Sequence, residues 1–222
     1  MTVSIWRQLT DTPRLKNGEV HLYRIGLTGK IDTYRHILST DEMTRARRLL
    51  DVQKQHAFIT CRGMLRQILS QYLEISAQEI VFQYNDNGKP SLAPDHHSDL
   101  VFNLSHSAEC AVIAVTRSAD IGVDIEKIDP ALEFHKLAER FFDQNEQTVL
   151  QRTPISRQRR TFYRLWTAKE SRLKMAGTGF LHSQLHEVSV CSLIHFYYSP
   201  CFVATFASDE KISAIKKYEF FC

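Results

Sequence analysis

The sequence predicts an α+β fold made of two similar halves, and three observations carry that prediction. Phe58, Cys61, Leu65, Ile68, Leu69 and Tyr72 form the apolar stripe of a long helix, and a second helical pattern runs from Phe162 to Met175. Short runs rich in Val and Ile, at Leu100 to Leu104, Cys110 to Thr116 and Ile121 to Glu126, have the character of strands. The helix-opening pattern Ser39-Thr40-Asp41-Glu42 returns as Asp143-Gln144-Asn145-Glu146, at the same 104-position offset that separates Phe58 from Phe162.

Glu19 to Ile25 reads as a strand, followed by Ile31, Tyr34 and Leu38 at helical spacing. Ser39 and Glu42 stand as a capping box: hydroxyl and carboxylate each satisfy a free backbone N–H, so a helix starts there and carries Arg45, Arg47 and Arg48. The longer helix has Arg62 and Arg66 near the edge of its stripe. Ile80 to Tyr84 is strand-like and closes at Asn85-Asp86-Asn87-Gly88, and Pro90 is expected to end regular pairing. The next three strands, joined by tight connections, are expected to form an antiparallel meander, broken at Asp129-Pro130. Helical patterns resume through Phe134, Leu137 and Phe141, and the tail from Val188 to Phe206 returns to strand. No low-complexity linker divides the chain; the expected division is residues 1–108 and 109–222.

The chain has 222 residues, 43% of them hydrophobic, enough for a real core. Its 28 basic and 25 acidic residues are too balanced for a general nucleic-acid binder. Two arginine clusters, at 45, 47 and 48 and at 157, 159 and 160, read either as solvated helix faces or as docking points for an acidic partner. Five scattered cysteines without a CxxC fit a reducing cytoplasm, and no stretch has the pattern of a signal peptide or membrane span.

Ile121, Val123 and Ile125 alternate with Gly122, Asp124 and Glu126, which aims the two carboxylates at one side of a strand. In Trp166 to Gly179 (WTAKESRLKMAGTG), Glu170 and Lys174 are four apart and share a helix face beside Lys169. Asp124, Glu126 and Glu170 offer only oxygen, a donor set for Mg²⁺ or Mn²⁺ and through them for a phosphate-bearing substrate. Taken alone, Asp-x-Glu on a strand is a weak signal that reads first as a solvated sheet face and only second as a metal site. Phe102-Asn103-Leu104-Ser105-His106-Ser107 places hydroxyls and an imidazole at a strand end, where they can bind phosphate or ribose oxygens; His106 alone reads equally as a structural histidine. Adjacent on a strand, Ser105 and His106 point apart, which disfavours a nucleophilic pair. Neither a Walker loop nor GxGxxG is present.

Together, GKP at 88–90, FNLSHS at 102–107, GVDIE at 122–126 and W-x-x-KES-x-x-K-x-x-G-x-G from Trp166 resemble, in order and spacing, the 4′-phosphopantetheinyl transferases, specifically the longer monomeric type that activates surfactin-type peptide synthetases. The resemblance implies a pseudo-dimer of two α+β halves with CoA in the cleft between them. It implies transfer of 4′-phosphopantetheine from CoA to a serine of an apo acyl or peptidyl carrier protein, with release of adenosine 3′,5′-bisphosphate. It further implies Asp124, Glu126 and Glu170 as Mg²⁺ ligands, Glu170 also as base and Lys174 as the cation on the pyrophosphate. Ser105 and His106 match the family's CoA phosphate contacts, Lys89 its adenosine contact, and Arg45 and Arg62 its 3′-phosphate contacts. The expected protein is a cytoplasmic monomer without nucleic-acid or membrane partners. Two rivals remain: a CoA-binding regulator without turnover, and a basic RNA- or protein-binding module.

Overall fold

The central strands are buried on both faces, and successive side chains point into different layers. The computed structural model of the chain describes residues 7–8, 14–27, 31–178 and 189–220. The first half runs from strand β2 (Glu19–Gly26) through helices α1 (Asp32–Arg35), α2 (Thr40–Arg48) and α3 (Val52–Leu73) to the hairpin of β3 (Phe82–Tyr84) and β4 (Pro90–Leu92), then to the hairpin of β5 (Leu100–Ser107) and β6 (Cys110–Arg117). The second half has β7 (Ile121–Lys127), α4 (Phe134–Phe141), α5 (Gln144–Arg152), α6 (Ile155–Ala176), and the strands β8 (Ser192–Ser199), β9 (Phe202–Ser208) and β10 (Ala214–Phe220). A two-residue strand β1 (Arg7–Gln8) lies outside β10.

The predicted repeat is visible in the helices and in the pairing. The capping box of Ser39 and Glu42 opens a nine-residue α2 before a 22-residue α3, and that of Asp143 and Glu146 opens a nine-residue α5 before a 22-residue α6. In each half the first strand pairs antiparallel with the second strand of the later hairpin: β2 with β6, and β7 with β9. The orders are therefore β2-β6-β5 and β7-β9-β8, and β10 extends the first sheet by running parallel to β2.

Tyr23, Ile25, Ile113 and Val115 turn one face of the first sheet onto α3, where Met64, Leu65 and Ile68 are fully buried. Val20, Leu22, Val112 and Ala114 turn the other face onto Val123, Ile125 and Phe206 of the second sheet. The far face of the second sheet meets α6, whose Phe162 and Tyr163 pack with Val203. The order of layers is α3, sheet, sheet, α6. Among the described residues, no helix is long and apolar enough to cross a membrane.

Several expectations need correction. The predicted meander does not form: β5 and β6 are a hairpin, but β7 leaves for the second sheet, because Ile121, Val123 and Ile125 bury against the first sheet's face and not at its edge. Pro90 opens a strand, pairing opposite Tyr84 at the start of an edge strand, where no N–H is required. The tail contains two strands joined at 200–201, and Val188 lies outside the described residues, as does Gly179.

β7 crosses α6 at Gly122, where a Cβ would collide with the Ser171 carbonyl and the Met175 nitrogen. Both obstacles are backbone, so nothing can rotate aside. Gly122→Ala is expected to destabilise the protein by about 3 kcal/mol or more, beyond the usual 1–3 kcal/mol of overpacking; urea denaturation of the two proteins checks it.

Candidate active site

The site lies where the edges of the two sheets meet. β5 and β7 do not exchange backbone hydrogen bonds; three β5 side chains take the place of a ladder. Asn103 Oδ1 accepts from Val123 N–H at 2.9 Å, Ser105 Oγ from Ile125 N–H at 3.4 Å and Ser107 Oγ from Lys127 N–H at 3.1 Å. The two hydroxyls then donate to the carboxylates between those residues, Ser105 to Asp124 Oδ1 at 2.9 Å and Ser107 to Glu126 Oε2 at 2.8 Å.

α6 brings Glu170 and Lys174 against this junction. Lys174 Nζ donates to Asp124 Oδ1 at 2.6 Å and to Ser105 Oγ at 2.7 Å. Lys169, which precedes Glu170 in the motif, turns away and pairs with Glu146 of α5 at 3.0 Å. Asp124 is 3% exposed, and burial pushes its carboxyl up against the opposing pull of Lys174 and Ser105. Glu126 is raised by burial and then by Asp124. Glu170 is raised to about 7, first by burial and then by Asp124, with Lys174 pulling the other way. The three carboxylates thus share one low-dielectric region.

Asp124 Oδ2 and Glu170 Oε1 are buried without a hydrogen-bond partner. Such oxygens are costly unless a cation or proton completes them. The oxygen-only donors therefore fit a hard divalent cation, although among the described residues no three Asp, Glu, His or Cys side chains already stand in ligating geometry. The Lys174 ammonium holds the other Asp124 oxygen, Oδ1, and leaves Oδ2 without a partner.

Glu170 and Lys174 line a cavity of about 280 Å³ with Asn87, Gly88, Lys89, Pro90 and Asn103. Gly88, Pro90 and Leu104 also wall a neighbouring cavity of about 530 Å³ that holds Arg45, Arg48, Arg62, Tyr84, Phe58 and His106. Arg45 is exposed there, its guanidinium 4.3 Å from the Tyr84 ring centre. Arg62 is 5% exposed, not a surface residue; its Nε donates to Glu42 Oε1 at 2.8 Å and its Nη2 to Tyr84 Oη at 2.6 Å. Glu42 also receives Arg66 at 2.7 Å, which fixes this basic wall to the α2 cap.

Of the expected site residues, Lys89, Glu170 and Lys174 line the smaller cavity and Arg45, Arg62 and His106 the larger, while Asp124, Glu126 and Ser105 sit at the β5–β7 junction and line neither. Ser105 is turned into the sheet junction, not toward open space, whereas exposed His106 lines the larger cavity. Lys89 reaches the cavity by its stem, while its ammonium binds the carbonyls of Met175 at 2.7 Å and Ile121 at 3.4 Å. Sequence reasoning gave Tyr84 and Glu42 no place in the site, and it named Asn103 and Ser107 only within a motif for ligand oxygens, not as the acceptors that hold β7. Asn103, Ser105 and Ser107 alternate along β5, a polar face that period-2 reading exposes.

The shift of Glu170 has a measurable consequence. Its folded value, about 7, lies above the ordinary 4.5, so its protonated form favours the fold. That stability is present below pH 4.5 and is lost as pH rises through about 7. In metal-free buffer, Glu170→Gln is expected to match the native chain near pH 4.5 and to exceed it by about 2–3 kcal/mol at pH 8, read by urea denaturation.

Family comparisons agree with this architecture. A model of the 4′-phosphopantetheinyl transferase superfamily matches residues 120–217, and one for the 4′-phosphopantetheinyl transferase N-terminal region matches residues 28–118. The chain is 37% identical over 189 residues to the 4′-phosphopantetheinyl transferase HetI of Nostoc sp., covering 83% of this chain and 79% of that one. It is 31% identical over 187 residues to the transferase ffp of Bacillus subtilis, covering 80% of each. With Sfp of Bacillus subtilis it shares 29% identity over 188 residues, again 80% of each chain. Two adjoining family models and relatives aligned across both halves place this chain in the 4′-phosphopantetheinyl transferase superfamily.

Proposed function

We propose that the chain transfers 4′-phosphopantetheine from CoA to a serine hydroxyl of an apo acyl or peptidyl carrier protein and releases adenosine 3′,5′-bisphosphate. The observation that carries the site assignment is the pair of partnerless buried oxygens, Asp124 Oδ2 and Glu170 Oε1, beside the Lys174 ammonium at a cavity continuous with a basic, aromatic wall. Asp124, Glu126 and Glu170 are the residues to hold Mg²⁺, with Mn²⁺ as a substitute of the same oxygen preference. When bound, that ion supplies positive charge to the CoA diphosphate.

The remaining chemistry belongs to side chains. Lys174 sets an ammonium against the diphosphate, where charge builds as the bridging oxygen leaves. Arg45 and Arg62 face the 3′-phosphate end, and His106 a phosphate oxygen. Lys89 serves the adenosine side with its stem, its ammonium being engaged by α6. Ser105 acts by orienting Asp124. The Glu170 carboxylate oxygen not held on the cation accepts the serine proton as the serine oxygen bonds to the β-phosphorus and the bond from that phosphorus to the bridging oxygen breaks, the electron pair leaving on adenosine 3′,5′-bisphosphate.

Two fused halves provide a complete cleft in one chain, which supports a monomer, and the cysteine pattern supports a cytoplasmic setting. The repeat and the limits of the two family models favour a boundary at Ala119 over one after residue 108. Family membership gives no support to a basic RNA- or protein-binding module.

The test uses Glu170→Gln, which keeps a ligating oxygen but cannot take a proton. With CoA, Mg²⁺ and an apo carrier protein, the single-turnover rate is expected to fall about 10²–10⁴-fold while Mg²⁺-dependent CoA affinity changes little. A rate loss that only tracks lost metal or CoA affinity assigns Glu170 to binding alone.

A further inference from the structure

The turn between β3 and β4 belongs to the first half, yet its side chains end on the last turn of α6 in the second. Asn85 Nδ2 donates to the Gly177 carbonyl at 3.0 Å and Asn87 Nδ2 to the same oxygen at 2.9 Å. Lys89 Nζ takes the Met175 carbonyl. A helix leaves its final carbonyls without intrahelical donors. Here those donors come from across the cleft.

Both partners are shaped for this contact. Asn85 Oδ1 accepts from the backbone N–H of Asn87 at 3.1 Å and of Lys89 at 2.8 Å, which pins the turn that presents the two amides. Gly177 caps α6 at φ 68°, and a Cβ there would stand 2.8 Å from Asn85 Nδ2. Glycine thus permits both the left-handed cap and the approach of the amides. Lys174 lies about one turn before the capped carbonyl and Glu170 about two. Both line the same cavity as Asn87.

We propose that Asn85 and Asn87 are positioning residues for the transfer, fastening the end of α6 to the first half so that Lys174 and Glu170 stay against Asp124. The inference rests on the roles proposed above for Glu170 and Lys174. Without the amides the last turn frays, and Lys174, one turn from the end, loses its fixed place before Glu170 does.

The test compares Asn87→Ala and Asn87→Asp with Asn85→Ala by amide hydrogen exchange over residues 172–177 and by single-turnover rate with CoA, Mg²⁺ and apo carrier. Asn87 is exposed, so its loss leaves the core intact, and Asp has the same shape without the donor. Each variant is expected to exchange about three- to tenfold faster in the last turn of α6, with α3 unchanged, and to lose a similar factor in rate at saturating CoA while carrier KM holds. Native exchange in the Asn87 variants, or faster exchange throughout the chain, overturns the proposal. Faster local exchange with a native rate makes the contact structural only and also overturns it. If Lys174→Ala and Glu170→Gln themselves turn over at the native rate, the reading of the site fails instead, and exchange alone still shows whether the clamp holds the helix.

Discussion

The site depends on one contact: the edge of one sheet closed on the edge of the other by side chains instead of backbone. Asn103, Ser105 and Ser107 give β7 the acceptors that a neighbouring strand would have given it. Two of the same groups also orient Asp124 and Glu126, so carboxylate geometry and sheet registration cannot be changed separately. Burying Asp124 at this joint is expensive, and Lys174 with Ser105 offsets it. Gly122 sets the remaining dimension by letting α6 rest on the β7 backbone.

The internal repeat divides the labour. Both halves offer a 22-residue helix behind a nine-residue one, but the charges are used differently. α3 turns Arg62 and Arg66 onto Glu42 and builds a rigid basic wall. α6 turns Glu170 and Lys174 toward the buried carboxylates of β7. A transferase that handles a polyphosphate needs both, a fixed cationic face and a place where charge can be neutralised during transfer. Different side chains on one repeated scaffold provide them in a single chain.

Much of this was legible in the sequence. The capping boxes at Ser39 and Asp143, the stripes of α3 and α6, and the period-2 placement of Asp124 and Glu126 are local patterns, and all formed as local physics dictates. What escaped was non-local. The meander failed because alternation shows which face of β7 is buried but not which sheet buries it. Pro90 was misread because its harmlessness depends on being at an edge. Lys89 and Ser105 were assigned by motif to a ligand, whereas their partners, the end of α6 and the β7 edge, lie far away in sequence. Arg62 gave no sign of burial because Glu42, which makes burial tolerable, is 20 residues earlier.

In the proposed reaction Asp124, Glu126 and Glu170 converge on one divalent cation that also meets the CoA diphosphate. A crystal of the protein with CoA and Mn²⁺, with data collected at the manganese edge, tests it most directly. One anomalous peak is expected, bonded to oxygens of Asp124 and Glu170, with Glu126 directly on the ion or one water away, a diphosphate oxygen on the same ion, and Lys174 moved off Asp124. A peak elsewhere, or bound CoA with Lys174 still paired to Asp124 and no peak between the carboxylates, would contradict it.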